Sequence, residues 1–241
     1  MLNIDQHHLR KFQQIKKRFY SATKIPEFGN WMKRSNNEIW LEFVAQVVVV
    51  GSSAPWAKLI ANPELKSKIS WENLSKIQNL DKLKITINEV LLAAGTRYAS
   101  SDLSKSAKAR ALAYNMGKLK EYKNGPKEFL LKLSELQGQF SDKLRIKFVI
   151  CNLQYIKNKG ARDLLMELGL ITNAVALDVR VLKILENVGI KVPEGSLSNP
   201  KLYDEIENAI LTEICSPLRL LGVELDRMVY QNYEGILAML S

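Results

Sequence analysis

The stretch from residue 155 to residue 169 has the residue types needed to bind a phosphate. Its pattern predicts a helix that ends near Tyr155, a tight turn over residues 157–159, and a second helix that begins at about Gly160. The unpaired backbone N–H groups at a helix start form an anion site that suits a DNA phosphate. Three basic side chains add positive charge to this turn: Lys157, Lys159 and Arg162. A solvated charged turn would show the same pattern, so this stretch alone does not decide between the two interpretations.

A single carboxylate lies at the head of the next apolar helix. Asp178 follows an apolar approach and comes nineteen residues after Lys159. The simpler interpretation is that Asp178 is the N-cap of this helix. The functional interpretation is that the same placement directs the carboxylate into a cleft opposite Lys159. Both roles can hold at once.

The elements that must position these residues are helices. Val47–Val50 alone would suggest a strand, but no partner strand follows it, so we expect a buried helix. We therefore expect an all-α fold. Helical patterns cover residues 11–20, 39–50, 56–60, 71–76, 85–94, 104–119, 126–136, 141–155, 160–168, 178–188, 201–215 and 223–240.

The composition restricts the partner and the compartment. A formal net charge of +10 over 241 residues favours a polyanionic partner, either nucleic acid or an anionic membrane surface. The chain shows no apolar run long enough to span a bilayer and no secretion signal, so we expect a soluble protein inside the cell, in the cytoplasm or nucleoid, or in the nucleus of a eukaryote. Two cysteines are too few for a typical iron–sulfur cluster or an all-cysteine zinc site, and His7 and His8 have no further ligand at metal spacing.

Three segments together resemble one protein family. The central one runs Lys159-x-Ala161-x-x-Leu164-Leu165-x-x-Leu168-Gly169 and continues with Ala176-Leu177-Asp178-x-Arg180-x-Leu182. Upstream lie Gly95-Thr96-Arg97-Tyr98 and Lys108-Ala109-x-x-Leu112-x-x-Asn115, and downstream lies Gly222-Val223-Glu224-Leu225-Asp226 with Tyr230. This pattern is similar to the helix-hairpin-helix (HhH-GPD) DNA glycosylase superfamily, and most similar to its compact archaeal-type 8-oxoguanine DNA glycosylase/AP lyases.

The resemblance implies a base-excision repair enzyme that removes an oxidised purine from duplex DNA. The oxidised purine that it implies is 8-oxoguanine. Lys159 would form a Schiff base with the sugar, and Asp178 would stabilise the positive charge that the sugar develops. We expect nearby cations and the helix start to disfavour the charged form of the lysine, and we expect a monomer. The implied fold is two helical domains that flank a DNA-binding cleft, residues 46–155 and residues 1–45 with 156–241. The hairpin itself could hold a monovalent cation on backbone carbonyls, and no other cofactor or metal is expected.

The hairpin departs from the family pattern of Gly-x-Gly-x-Lys. Tyr155 and Lys157 occupy the glycine positions, so we expect another residue, such as Asn158, to take the left-handed conformation. Lys157 also remains a rival for the nucleophile.

Further residues are candidates for contact with DNA. Tyr230 and Gln231 on the last helix, together with Gln46, are candidates for the base pocket, although a tyrosine at helical spacing is more often a core residue. Ser52 and Ser53 interrupt a helix where the family has a DNA-facing turn, and Asn158 and Gly160 would join the basic residues of the hairpin on the phosphates. Two alternatives remain open: a glycosylase for another damaged or mismatched base, and a helix-hairpin-helix module that binds DNA without catalysis.

Overall fold

The computed structural model describes residues 2–138 and 141–241, and these residues form fourteen α-helices and no strand. The predicted all-α fold class is confirmed. The helices are α1 Gln6–Phe19, α2 Asn36–Val48, α3 Ala54–Ala61, α4 Pro63–Lys68, α5 Trp71–Leu74, α6 Leu80–Ala94, α7 Ala107–Lys120, α8 Pro126–Ser134, α9 Ser141–Asn152, α10 Asn158–Glu167, α11 Val179–Val188, α12 Pro200–Ala209, α13 Gly222–Gln231 and α14 Tyr233–Leu240. A π-helical turn, Ile210–Cys215, follows α12.

The first helix begins earlier than its sequence pattern predicts. Asp5 caps it by accepting hydrogen bonds from the backbone N–H groups of His7 and His8, at 2.8 and 3.0 Å. In return, the His8 ring accepts a hydrogen bond from the Asp5 N–H at 3.1 Å. The two histidines therefore lie in an ordered, capped helix, whereas the sequence suggested a loose terminus.

The chain divides into two compact units. One unit comprises Met1–Phe28 and Leu165–Ser241, and the other comprises Gly29–Leu164. The division falls inside α10, so residues 158–164 of that helix belong to the Gly29–Leu164 unit. No helix among the described residues is long and apolar enough to cross a membrane.

The core of the Gly29–Leu164 unit is built on α2. Trp40 and Phe43 are completely buried, and the Trp40 indole N–H donates a hydrogen bond to the Ile69 carbonyl at 2.8 Å. Phe43 packs edge-to-face on Phe129 of α8, with 5.9 Å between ring centroids. The helix continues through the valine run as far as Val48, as predicted.

The other unit encloses a core between α1, α11, α13 and α14, and this core fixes the segment that leads to Asp178. Gly222, the first residue of α13, lies so close to this segment that an added Cβ would come 2.5 Å from the Ala174 carbonyl oxygen. The Val223 N–H then donates to the Thr172 carbonyl at 2.9 Å. Only glycine permits this approach of the two backbones, which holds the extended segment against the start of α13.

Candidate active site

The hairpin between α9 and α10 has its turn two residues earlier than the sequence predicts. The helix α10 starts at Asn158, so Lys159 lies in its first turn and not in the preceding loop. The left-handed residue is Tyr155, with φ of 66°, and not Asn158. Tyr155 therefore adopts, as a tyrosine, the conformation that suits the first glycine of the family pattern, at an intrinsic cost of about 1–2 kcal/mol.

A buried asparagine on α7 holds this hairpin. The Asn115 side chain is completely buried and bonds the backbone of Gln154 in both directions. Its amide nitrogen donates to the Gln154 carbonyl at 2.9 Å, and its amide oxygen accepts from the Gln154 N–H at 2.7 Å. Sequence reasoning noted Asn115 only as part of a motif. A polar residue on the apolar face of a helix was the signal that could have identified it.

Lys159 is paired with a carboxylate that sequence reasoning missed. Its Nζ lies 3.2 Å from Oδ2 of Asp163, one helical turn further along α10. The same oxygen accepts a hydrogen bond from Nε2 of Gln46 at 3.2 Å, and Gln46 is itself buried. The spacing of four residues was the available signal, because side chains at i and i+4 share a helix face. Gln46, predicted for the base pocket, thus contacts the partner of the candidate nucleophile.

The basic residues of the hairpin differ in their exposure. Lys157 is exposed and Asn158 is half-buried, so both are accessible from solvent at the start of α10. Arg162 is only 3% exposed, and its guanidinium donates to the Asn158 carbonyl at 3.1 Å. The side chain turns into the protein and braces the first turn of α10, and its contact with a phosphate stays a prediction. Gly160 lies beside Gln46, and an added Cβ would meet Oε1 of Gln46 at 3.5 Å, an ordinary contact.

Asp178 is the N-cap of α11, and only one of its oxygens is used for capping. Oδ1 accepts hydrogen bonds from the N–H groups of Arg180 and Val181, at 2.9 and 3.2 Å. Oδ2 accepts no hydrogen bond from residues 2–138 or 141–241. Val179, the first residue of the helix, is 71% exposed, so the helix start is open to solvent. The capping role and a role toward a ligand are thus compatible.

Two buried carboxylates hold the segment that delivers Asp178. The Val175 N–H donates to Glu207 at 2.9 Å, and the Ala176 N–H donates to Asp226 at 2.8 Å. Glu207 and Asp226 are 3% and 5% exposed. These bonds satisfy N–H groups that would otherwise be buried without partners in an extended segment.

The last helices form an open groove around an aromatic ring. Tyr230 is 53% exposed, so the alternative that it is a core residue is wrong. The Arg180 guanidinium lies over its ring, 4.9 Å from the centroid, and the groove is also lined by Phe19, Asn232 and Tyr233. Gln231 uses both ends of its amide on the Lys24 backbone, at 2.7 and 2.8 Å. That side chain therefore already has a structural role beside the groove.

A buried lysine holds the turn that contains Ser52 and Ser53. Lys108 is completely buried, and its Nζ donates to the carbonyls of Val48 and Val50 at 2.9 and 2.7 Å. Burial, reinforced by the positive charge of Arg97, lowers the pKa of Lys108 to about 8. Ser53 is exposed and Ser52 half-buried on this turn. The side chains of α7 thus hold two turns, this one through Lys108 and the hairpin through Asn115.

Among the described residues, no group of three or more His, Cys, Asp or Glu side chains is arranged to hold a metal ion. Cys215 is buried, which raises the pKa of its thiol to about 12, and Cys151 is exposed on α9. These two thiols therefore have different surroundings, and neither belongs to a cluster of this kind.

Comparison with known proteins bears on the fold. No family model matches the sequence, and no curated protein matches it. The structure is similar to the Methanocaldococcus jannaschii 8-oxoguanine DNA glycosylase, with a TM-score of 0.62, 20% identity, and coverage of 96% of this chain and 98% of that chain. The M. jannaschii 8-oxoguanine glycosylase/lyase in complex with a 15mer DNA containing 8-oxoguanine gives a TM-score of 0.61, 19% identity, and coverage of 94% and 97%.

A bacterial protein shows the same likeness. The 8-oxoguanine DNA glycosylase of Thermotoga maritima gives a TM-score of 0.59, 20% identity, and coverage of 94% of this chain and 96% of that chain. At these identities the comparison concerns the fold. The chain shares that all-α fold over nearly its whole length.

Proposed function

We propose that this protein is a base-excision repair DNA glycosylase with AP lyase activity, and that it removes 8-oxoguanine from duplex DNA. The observation that carries the proposal is Lys159 in the first turn of the second hairpin helix, in a chain whose fold is that of 8-oxoguanine DNA glycosylases. The net charge of +10 fits a polyanionic partner, and one of the similar structures contains DNA with 8-oxoguanine.

The start of the second hairpin helix binds the DNA backbone. The backbone N–H groups at the start of α10 have no partner within the helix, so they can bind a phosphate together with the exposed Lys157.

The damaged nucleotide leaves the base stack to reach the catalytic residues. Tyr230, exposed on α13, offers a ring on which a base can stack.

Lys159 and Asp178 carry the chemical steps. The amine of Lys159 attacks C1′ of the damaged nucleotide while the bond from C1′ to the base breaks, and its electron pair leaves with the base. The sugar gains positive charge in this step, and the Asp178 carboxylate stabilises it. The sugar ring then opens to a Schiff base between the lysine nitrogen and C1′. Loss of a proton from C2′ expels the 3′ phosphate and cuts the strand.

The monovalent cation expected at the hairpin would be held by backbone carbonyls. The Gln154 carbonyl of this hairpin accepts a hydrogen bond from Asn115. No chemical step is assigned to the cation.

The test uses duplexes that each carry one lesion: 8-oxoguanine opposite each of the four bases, an oxidised pyrimidine, an alkylated base or a mismatch. Base release is measured by alkaline strand cleavage, and the Schiff base is trapped with borohydride. We expect a covalent adduct with 8-oxoguanine that is lost in Lys159→Gln and that still forms, with weaker DNA binding, in Lys157→Gln. An adduct lost only in Lys157→Gln would show that Lys157, and not Lys159, is the nucleophile. DNA binding without base release or adduct on any lesion would instead support the non-catalytic module.

A further inference from the structure

The carboxylate beside Lys159 is held in place from two helices. Asp163 follows Lys159 by one turn of α10, and its Oδ2 lies 3.2 Å from the lysine Nζ. The amide of Gln46, on α2, donates to the same oxygen at 3.2 Å. The Asp163 side chain is 19% exposed and Gln46 is 8% exposed, so this carboxylate is largely removed from water.

This arrangement differs from an ordinary surface ion pair. Exposed pairs at i and i+4 contribute a few tenths of a kcal/mol, and the order in which lysine precedes the acid is the less favourable one. The pair Glu64 and Lys68 shows the ordinary case, because both side chains are more than half exposed and the acid precedes the lysine. Lys159 and Asp163 have the reverse order, and a third residue, Gln46, fixes the acid. Helix stability alone therefore gives no reason for Asp163 at this position.

The chemistry of Lys159 supplies a reason. Only a neutral amine attacks C1′, whereas a lysine with its ordinary pKa of about 10.4 carries an extra proton near neutral pH. A proton acceptor must lie within about 2.6–3.2 Å of the nitrogen, and Oδ2 of Asp163 meets this requirement. The sequence suggested only positive surroundings for Lys159, and the structure adds this carboxylate to them.

We propose that Asp163 is the proton acceptor that converts Lys159 into a nucleophile, a role that rests on the proposed function. The N–H bond of the ammonium breaks, its electron pair stays on nitrogen, and the proton moves to Oδ2 of Asp163. The nitrogen then bonds to C1′ as the base departs with the electron pair of the broken bond. The departing base takes up one proton, and Asp163 returns to its carboxylate form.

The variant Asp163→Asn tests this role, because the amide keeps the shape and an oxygen for Gln46 but cannot accept the proton. We expect the rate of borohydride-trapped adduct formation near neutral pH to fall by about 100-fold, the scale of general base catalysis. In strongly basic buffer, hydroxide can replace the carboxylate as the proton acceptor, and the rate should recover toward that of the wild type. Asp163→Glu should keep most of the neutral-pH rate, and the matched control Glu64→Gln should match the wild type.

A purely electrostatic role of Asp163 predicts the opposite change in the rate of adduct formation. If Asp163 only paired with the ammonium, its removal would make loss of the proton easier, and Asp163→Asn would form the adduct as fast as the wild type or faster at neutral pH. That result would overturn the role of Asp163 and leave the proposed function standing. A wild-type protein that forms no adduct would overturn the proposed function and this role together. Thermal unfolding shows whether Asp163→Asn folds, and if it does not, loss of the neutral-pH rate in Asp163→Glu would overturn the proposal.

Discussion

Replacing Asn115 with alanine should loosen the hairpin while leaving the rest of its unit folded. The substitution removes two hydrogen bonds to Gln154 and leaves the N–H and the carbonyl of this residue without their partner. A neutral hydrogen bond contributes about 0.5–1.5 kcal/mol, and water can reach Gln154, which is an exposed residue. A loss of about 1–3 kcal/mol in the local stability of the hairpin follows from the two bonds.

The left-handed Tyr155 makes this loss consequential. Its φ of 66° opposes the preference of the residue by about 1–2 kcal/mol, and Asn115 bonds the residue just before it. Without that clamp the hairpin can relax to conformations that suit tyrosine better. Adding Tyr155→Gly to Asn115→Ala should restore part of the stability, because glycine adopts this conformation freely.

Hydrogen exchange measures the effect without any assumption about function. The loss predicts exchange of the Gln154 amide that is about 5- to 140-fold faster in Asn115→Ala, since about 1.4 kcal/mol corresponds to tenfold. The matched control is Asn88→Ala, which removes another buried asparagine in the same unit. The Asn88 amide bonds the Ser100 carbonyl and the Ser106 hydroxyl and has no hydrogen bond to the hairpin.

DNA affinity connects the hairpin to the proposed function. If the hairpin binds a phosphate, Asn115→Ala should weaken binding to any duplex, damaged or not, because phosphate contacts carry no sequence information. Asn88→Ala should bind as the wild type does. Unchanged exchange at Gln154 in Asn115→Ala would refute the clamp itself. Faster exchange with unchanged DNA affinity would refute only the contact between hairpin and phosphate.

Two other predictions concern single charged residues. The pKa of Lys108 is lowered to about 8 in the native protein, whereas it is about 10.4 in an unfolded chain. Between these two pH values the unfolded chain keeps a proton on Lys108 that the native protein has released. Wild-type stability should therefore rise with pH through this window relative to Lys108→Met, by up to about 3 kcal/mol, and parallel thermal-unfolding curves for the two proteins would contradict this. Asp178→Asn retains a good N-cap, so the free energy of unfolding should change by less than about 0.5 kcal/mol. Base release should nevertheless fall by about 100-fold or more, and a large loss of stability with normal base release would leave Asp178 as a cap alone.

The sequence predicts which segments are helices better than where these helices begin and end. Apolar periodicity correctly identified α2 and its valine run, because burial on all sides suits an apolar helix. The final segment was predicted as one helix over residues 223–240, but the structure breaks it at Asn232. The Asn232 side chain bonds the Met228 carbonyl at 3.0 Å and the Thr23 hydroxyl at 3.3 Å. Thr23 is distant in sequence, so local propensity could not reveal this break.

The hairpin shows the same limit within the candidate site. Local preference argued for the left-handed conformation at Asn158, since asparagine tolerates it better than tyrosine. The structure places it at Tyr155, and the two bonds from Asn115, on a different helix, supply energy comparable to the cost. The burial of Arg162 escaped prediction for a related reason, because a basic residue in a polar stretch gives no sign of which helix face it occupies. Asp163 could have been predicted, since its spacing from Lys159 is a local property of α10.

The two aspartates assigned a part in the proposed chemistry differ in what their surroundings allow. Asp178 is tied through one oxygen to two backbone N–H groups of the helix it caps, so its carboxylate is fixed in position while the other oxygen stays available. Asp163 contacts both Lys159 and Gln46 through one oxygen, Oδ2. This oxygen lies 3.2 Å from the lysine Nζ, within the distance of a direct proton transfer. A fixed carboxylate suits the stabilisation of a developing charge, whereas a carboxylate in contact with the nucleophile suits proton transfer. Sequence motifs single out the first aspartate because its position relative to Lys159 matches a family, and only the contacts of α10 single out the second.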